Sequence, residues 1–223
     1  MTKRVLLLIA LLLLPLAGWC AGGHYPVDDA DIVAPSDFQI ESWYSHFDGR
    51  NAEFGFLPAV TVRDRLELTA GYYRLEAGGG NLDRFELAAK WQFAPIEDGA
   101  IASALAVTVG HEDGEWSDWL VNLPVSYAMA HAPVVFHLNA GWIHERDDSS
   151  DHLFTGAAVE WSATEQFDLI GQLYREGSDE DAEAQIGIRT GIGDVVEHLD
   201  VAVGRNLSSD ADWFVTAGLT LAF

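Results

Sequence analysis

The side chains that could carry acid–base or metal chemistry in this sequence are eight histidines and 35 aspartates and glutamates. Nucleophilic hydrolysis needs a serine beside a histidine and an acid, yet no histidine here has a serine two residues later. No two histidines have the His-x-x-x-His spacing of a metal site. The sequence therefore predicts no catalytic residues, no metal site and no cofactor.

The balance of charge is strongly acidic. Twelve lysines and arginines oppose the 35 acidic residues, and the formal net charge is −23. Nucleic-acid phosphates require a basic protein surface, which excludes nucleic acid as a partner. Because 49% of the residues are nevertheless hydrophobic, the apolar and acidic side chains must be separated in the fold.

Residues 1–21 are typical of a secretory signal peptide. Lys3 and Arg4 precede an apolar run that Pro15 and Gly18 interrupt. A membrane-spanning helix takes about 20 apolar residues, so the run is too short to span. Cys20 is the only cysteine, and a mature chain that begins after it has no thiol chemistry.

Beyond the signal peptide, apolar and polar residues alternate with period two, which predicts strands with one apolar and one polar face. Near the C-terminus, Trp213, Val215 and Ala217 share one face, and Thr216 and Gly218 share the other. The pattern predicts an all-β fold, a transmembrane antiparallel up-and-down β-barrel of about twelve strands, with counts of about ten or fourteen left open. The expected strands are residues 37–46, 52–62, 65–76, 82–93, 100–111, 116–128, 133–145, 151–161, 166–176, 183–192, 198–206 and 212–223.

The connections and the aromatic residues are arranged as a membrane barrel requires. Odd-numbered connections, such as Ser178-Asp179-Glu180-Asp181, are more acidic than even-numbered ones. Aromatic residues of the apolar parity fall at both strand ends, where ring solvation at membrane interfaces favours them. With both termini periplasmic, we expect residues 22–36 to form a periplasmic segment and residues 37–223 the barrel. The two groups of aromatic residues are Trp91, Phe93, Tyr127, Trp161, Phe167 and Phe223 at the periplasmic end, and Tyr44, Tyr72, Trp119, Trp142 and Trp213 at the extracellular end.

Both ends of the mature chain carry a family resemblance. The stretches His24-Tyr25-Pro26-Val27-Asp28-Asp29-Ala30 and Phe38-Gln39-Ile40-Glu41 resemble the opening of the barrel family named for the meta-pathway of phenol degradation. Residues 204–223 are similar to that family's last hairpin. The middle of the chain matches the family only in its alternation of apolar and polar residues. Tyr25 departs from the pattern because it separates the histidine from the proline. The resemblance implies a channel for small, often aromatic or hydrophobic, compounds.

The polar parity of the strands predicts the side chains that line the lumen. Charged groups there must be paired or hydrated. Two interpretations stay open: the charges fill and neutralise the interior, as in small barrels, or an excess of carboxylates creates a weakly cation-selective path. The predicted lumen residues are Glu41, Glu67, Arg84, Glu86, Lys90, His137, Asn139, Glu160, Arg189 and Asp200.

The leading functional hypothesis is a passive outer-membrane channel for a small-molecule solute. A non-conducting structural or adhesive barrel is an alternative. A lipid-acting barrel enzyme is a weaker alternative, because such enzymes place a histidine two residues before the catalytic serine and this sequence lacks that spacing. The expected surroundings are outer-membrane lipids and lipopolysaccharide. The ending Leu219-Thr220-Leu221-Ala222-Phe223 resembles the strand signal that the barrel assembly machinery reads, so Phe223 is the expected assembly signal.

Overall fold

The computed structural model describes residues 24–47, 51–77, 80–147, 149–177, 181–193, 195–208 and 212–223. The predicted signal peptide, Cys20 and the loop residues 178–180 lie outside the described residues. Among the described residues, no helix is long and apolar enough to cross a membrane. The strands are β1 (Phe38–Phe47), β2 (Asn51–Arg63), β3 (Leu66–Ala77), β4 (Gly80–Ala94), β5 (Ile101–Glu112), β6 (Glu115–Ala128), β7 (Val134–Glu145), β8 (Ser150–Ser162), β9 (Phe167–Glu176), β10 (Glu183–Gly191), β11 (Val196–Asn206) and β12 (Trp213–Ala222).

The twelve strands form one closed barrel. Each strand pairs antiparallel with its neighbours in sequence, and β1 also pairs with β12. The closing seam runs from Gln39 opposite Ala222 to Phe47 opposite Phe214. Closure removes the sheet edges, whose unpaired backbone groups could not face hydrocarbon. The predicted all-β up-and-down barrel is confirmed, and the strand bounds agree with the expected ranges to within two residues.

The apolar parity of the strands forms the outer wall. Leu87, Leu138 and Val201 are each more than half exposed on this face. A continuous exposed apolar belt of this kind is suited to lipid. Trp119 and Trp142 pack edge to face at one end of the belt, with ring centroids 4.8 Å apart. The opposite end of the belt, at which β1 begins and β12 ends, carries Phe223, which is also exposed.

The residues before β1 lie inside the barrel. Val27, Asp29 and Ala30 are fully buried, and the amides of Val27, Asp28 and Ala30 donate to inward-facing side chains of three strands. This position differs from the expectation that residues 22–36 form a periplasmic segment. The physical reason is space, because an eight-stranded barrel is filled by its own side chains whereas twelve strands enclose a wider lumen.

Candidate functional site

The N-terminal segment, defined here as residues 24–33, crosses the lumen without regular secondary structure. Buried backbone groups must be hydrogen-bonded, and side chains of the wall take the place of a neighbouring strand. The amides of Val27, Asp28, Ala30 and Val33 donate to Gln172, Asn139, Ser126 and Glu67, respectively, at 3.1, 3.0, 2.9 and 2.7 Å. The carbonyls of Asp28, Ala30 and Val33 accept from Asn139, Gln92 and Thr61. The wall is therefore shaped to hold this stretch of backbone.

Three apolar side chains of the N-terminal segment pack into the wall, and of these Ala30 lies beside Ala102 and Ala104. Val27 lies in a cluster of buried residues that includes Phe154 and Tyr174. The ring of Tyr25 lies 5.5 Å from the guanidinium carbon of Arg189, which is within the range of a cation–π interaction. These contacts remove apolar surface from water in a lumen that is otherwise mostly polar.

Three inward-facing glycines leave room for these side chains. A β-carbon added at any of them would lie less than 3.0 Å from an atom of the N-terminal segment. Well-packed interiors do not accommodate such an approach without displacement. The pairs are Gly156 with Val27, Gly187 with Tyr25, and Gly218 with His24.

Lys90 links β4 to the N-terminal segment. Its ammonium nitrogen lies 2.9 Å from Oδ1 of Asp28 and 3.2 Å from Oδ1 of Asp29. Burial raises the pKa of Asp28 to about 6, against the opposing effect of the Lys90 charge. Burial, with a smaller contribution from the charge of Arg189, lowers the pKa of His24 to about 3. Removal from water is the main cause of both shifts, as expected for a segment enclosed by the barrel.

A second charged group is buried between β7, β8, β10 and β11. Nε of Arg189 donates to Oδ1 of Asp200 at 2.7 Å. Oε1 of Glu160 lies 3.8 Å from both Nη1 of Arg189 and Nε2 of His137. All four side chains are at most 4% exposed. Because a buried charge is costly unless it is paired, the one guanidinium lies against both carboxylates and offsets part of their charge.

A third charged group surrounds Arg84 on β4. Its guanidinium lies 2.7 Å from Glu86, 2.9 Å from Glu112 and 2.6 Å from Asp118. The contacts with both oxygens of Asp118 form a bidentate pair, the strongest geometry for an arginine and a carboxylate. Three carboxylates around one guanidinium leave this part of the lumen negatively charged.

A cavity of about 250 Å³ remains between the N-terminal segment and the wall formed by β1 to β5. Carboxylates from both the wall and the N-terminal segment face it, and a single ammonium opposes them. Its charged lining residues are Glu41, Glu67, Glu86, Asp28, Asp31 and Lys90. A space with this excess of carboxylates favours cations over anions.

All ten predicted lumen residues lie on the inner face of the barrel, but the structure separates them by role. Glu41, Glu67, Glu86 and Lys90 line the cavity, whereas His137, Glu160, Arg189 and Asp200 form the buried group. Asn139 forms hydrogen bonds with the amide and the carbonyl of Asp28, and Arg84 contacts three carboxylates. The closely paired charges and the carboxylates in excess, with which the two interpretations are concerned, thus lie in different parts of the wall.

The contribution of the N-terminal segment was missed from the sequence. The sequence does hold a sign of the buried position, because Tyr25, Val27 and Ala30 are apolar residues in a stretch that was predicted to lie in the aqueous periplasm. Glycines on the inward parity, such as Gly156 and Gly187, leave gaps that the wall's own side chains cannot fill. The two features belong to distant parts of the chain, and only the closed barrel brings them together.

Within the described ranges, no three His, Cys, Asp or Glu side chains are grouped so that they could hold a metal ion. The histidines found there are dispersed. His137 is fully buried beside Ser126, with 2.8 Å between Nδ1 and Oγ, whereas Nδ1 of His144 lies 2.9 Å from the carboxylate of Asp151 at the barrel exterior. Glu160 lies 3.8 Å from the other ring nitrogen of His137, so a serine, a histidine and an acid adjoin one another as in a hydrolytic triad. All three side chains are at most 2% exposed, and the hydroxyl of Ser126 accepts a hydrogen bond from the amide of Ala30.

Comparisons with known proteins give a family and a fold. A family model described as "Uncharacterised conserved protein UCP029691" matches residues 9–223. A comparison with curated protein sequences finds no match. Among solved structures, the KdgM porin has a TM-score of 0.67 and 10% identity, with coverage of 83% of this chain and 99% of the porin. The NanC porin has a TM-score of 0.62 and 6% identity, with coverage of 82% and 98%. At these identities the likeness concerns the fold.

Proposed function

The chain belongs to the family described as Uncharacterised conserved protein UCP029691, and we propose that it is an outer-membrane channel through which small solutes diffuse passively. The observation that carries this proposal is the cavity of about 250 Å³ that lies beside the N-terminal segment and is lined by charged side chains. The similarity of the fold to the KdgM and NanC porins supports it. Outer-membrane lipids and lipopolysaccharide would contact the apolar belt, and the barrel assembly machinery would insert the chain.

The side chains of the cavity favour a class of solute. Glu41, Glu67 and Glu86 project from the wall, and among the described residues that line the cavity only Lys90 is basic. Rings of carboxylates attract cations and repel anions. The family resemblance favours aromatic or hydrophobic compounds, and of these the cavity is better suited to ones that carry a positive charge. We therefore propose small cations and positively charged aromatic compounds as the solutes.

A second candidate is a non-conducting structural barrel. The specific observation in its favour is that the N-terminal segment bonds to β3, β4, β6, β7 and β9, so that it crosses most of the lumen. If the segment never leaves and the cavity is closed at either end, no solute passes. The two candidates differ in one measurable property, which is conductance.

Planar-bilayer recording of the purified full-length protein tests the proposal. The channel candidate predicts ion conductance with a reversal potential that indicates preference for cations. The triple variant Glu41→Gln, Glu67→Gln, Glu86→Gln should conduct with a reversal potential closer to zero, because the cavity loses three negative charges. Absence of conductance would contradict the channel and support the structural barrel.

Exposed carboxylates supply the matched control. Glu115, Glu145 and Asp151 are more than half exposed at their side chains, at the other end of the strands from the termini. Solvent-exposed charges are screened over about 8 Å at physiological salt. Neutralising these three should change the reversal potential less than neutralising the cavity carboxylates. Equal shifts from both triplets would contradict a selective path through the cavity.

A further inference from the structure

We propose that the N-terminal segment is a displaceable plug, which closes the wider lumen when seated and leaves toward the periplasm to open it. This inference rests on the proposed channel function and adds a moving part to it. A cavity of about 250 Å³ lies between the seated segment and β1 to β5. Departure of the segment would join that cavity to the space that residues 24–33 now occupy.

The plug is held by bonds that the barrel does not need. Among the described residues, no backbone–backbone hydrogen bond joins residues 24–33 to a strand. The strands bond to one another around the full circle. The sheet therefore keeps all of its backbone hydrogen bonds when the plug leaves, and closure of a barrel is what its stability in a membrane requires.

The wall behind the plug is suited to water. The groups that bond the plug's backbone are the polar side chains of Ser126, Asn139 and Gln172, with Gln92 and Glu67. Hydrogen bonds to water replace such bonds at little enthalpic cost. A plug anchored mainly on apolar surface would instead expose that surface when it left. Three apolar residues of the plug are also buried against the wall: Val27 beside Phe154 and Tyr174, Tyr25 beside Ile170, and Ala30 beside Ala102.

The plug is tethered at one end. Phe38 is the first residue of β1, and its backbone exchanges two hydrogen bonds with Phe223 at the seam of the barrel. Immediately before it, the amide of Asp37 donates to the carbonyl of Ala34 at 3.0 Å, and Ser36 has a positive φ of 79°. This turn separates the plug from the sheet. Rotation about the turn would carry the plug out of the barrel end at which the termini meet.

Two facing positions allow the plug to be locked. A β-carbon built on Gly156 lies 3.6 Å from Cβ of Val27, within the range of about 3.5–4.5 Å between the β-carbons of a disulfide. The double variant Val27→Cys, Gly156→Cys, in a Cys20→Ser background, should therefore form a disulfide in the seated state. Oxidation of this variant would hold the plug in its seat, and reduction of the same variant would release it.

The test compares single-channel conductance in planar bilayers under oxidising and reducing conditions. We expect reduction to raise the conductance or the open fraction several-fold, with no redox effect in the two single-cysteine variants. A difference in migration between the unboiled and the boiled double variant on semi-native gels shows that it is folded. Equal conductance in both redox states, with the disulfide verified by mass spectrometry, would overturn the plug while leaving a channel through the cavity. No conductance in any form, including a variant that lacks residues 24–33, would overturn both proposals.

Discussion

Lys90 on β4 and Asp28 of the N-terminal segment form an ion pair across the lumen, with 2.9 Å between Nζ and Oδ1. The lysine side chain is 10% exposed, and the pair joins two parts of the chain 62 residues apart. Asp29 lies 3.2 Å from the same ammonium. Lys90 thus neutralises part of the charge that two adjacent carboxylates bring into the barrel.

Replacing Lys90 with methionine should release the N-terminal segment. Loss of one partner of a buried ion pair costs about 3–5 kcal/mol, here in the free energy with which the segment is seated. The measurement is cleavage within residues 24–33 by a nonspecific protease added to folded protein, followed by mass spectrometry. Arg74→Met is the control, because its pair with Asp83 is exposed to solvent and such pairs contribute little to stability. Equal protection of both variants would show that Lys90 does not hold the segment.

Gly156→Ala should displace the segment by steric conflict. The added β-carbon would lie 2.7 Å from Cγ2 of Val27, and overpacking of this kind costs about 1–3 kcal/mol. We expect faster proteolysis of the segment and higher conductance. Gly171→Ala is the matched control, since its β-carbon would face the exterior with Val159 3.8 Å away. A Gly156→Ala variant with unchanged conductance and protection would contradict this account of the seat.

The barrel could be predicted from the sequence because its signal is local. The alternation in β4, for example, places Phe85 and Leu87 outward and Arg84 and Glu86 inward, and each strand of the barrel repeats a similar pattern. The position of the N-terminal segment could not be predicted in this way. It depends on Val27 meeting Gly156, a pair 129 positions apart that no periodicity connects.

The division of the lumen charges was likewise beyond the sequence. Glu67 and Glu160 have the same inward parity. Glu67 lines the cavity, whereas Glu160 is 2% exposed beside Arg189. The alternation along a strand predicts whether a side chain points into the lumen. Whether that side chain then lines the cavity or is buried depends on the path of the N-terminal segment.

Asp200→Asn should destabilise the barrel without a large change in ion selectivity. Its carboxylate is 4% exposed and bonds Arg189 at 2.7 Å, so its loss leaves a buried guanidinium without its nearest partner. A cost of about 3 kcal/mol in the free energy of unfolding is expected, seen as a lower temperature at which the folded gel band disappears. Asp83→Asn, in an exposed pair with Arg74, should leave that temperature unchanged. A shift in reversal potential as large as that of the cavity triplet would place Asp200 on the permeation path instead.

Deleting Phe223 should reduce the amount of barrel in the outer membrane. The residue exchanges backbone hydrogen bonds with Phe38 at 2.9 and 3.0 Å where the sheet closes, and its ring is 61% exposed on the outer face. The deletion removes both the closing bonds and the aromatic terminus that we propose as the signal for the assembly machinery. Quantitative immunoblotting of membrane fractions measures the effect, with Phe223→Tyr as the conservative control. Undiminished levels of the deletion variant would refute a role in assembly.

The most direct measurement is the single-channel conductance of the full-length protein beside that of a variant that lacks residues 24–33, both recorded in planar bilayers with a salt gradient. The account predicts that both forms conduct, that the shortened form conducts several-fold more, and that both prefer cations, because Glu41, Glu67 and Glu86 remain in the wall. Identical conductance in the two forms would contradict the plug. Folded barrels that never conduct in either form would contradict the channel itself.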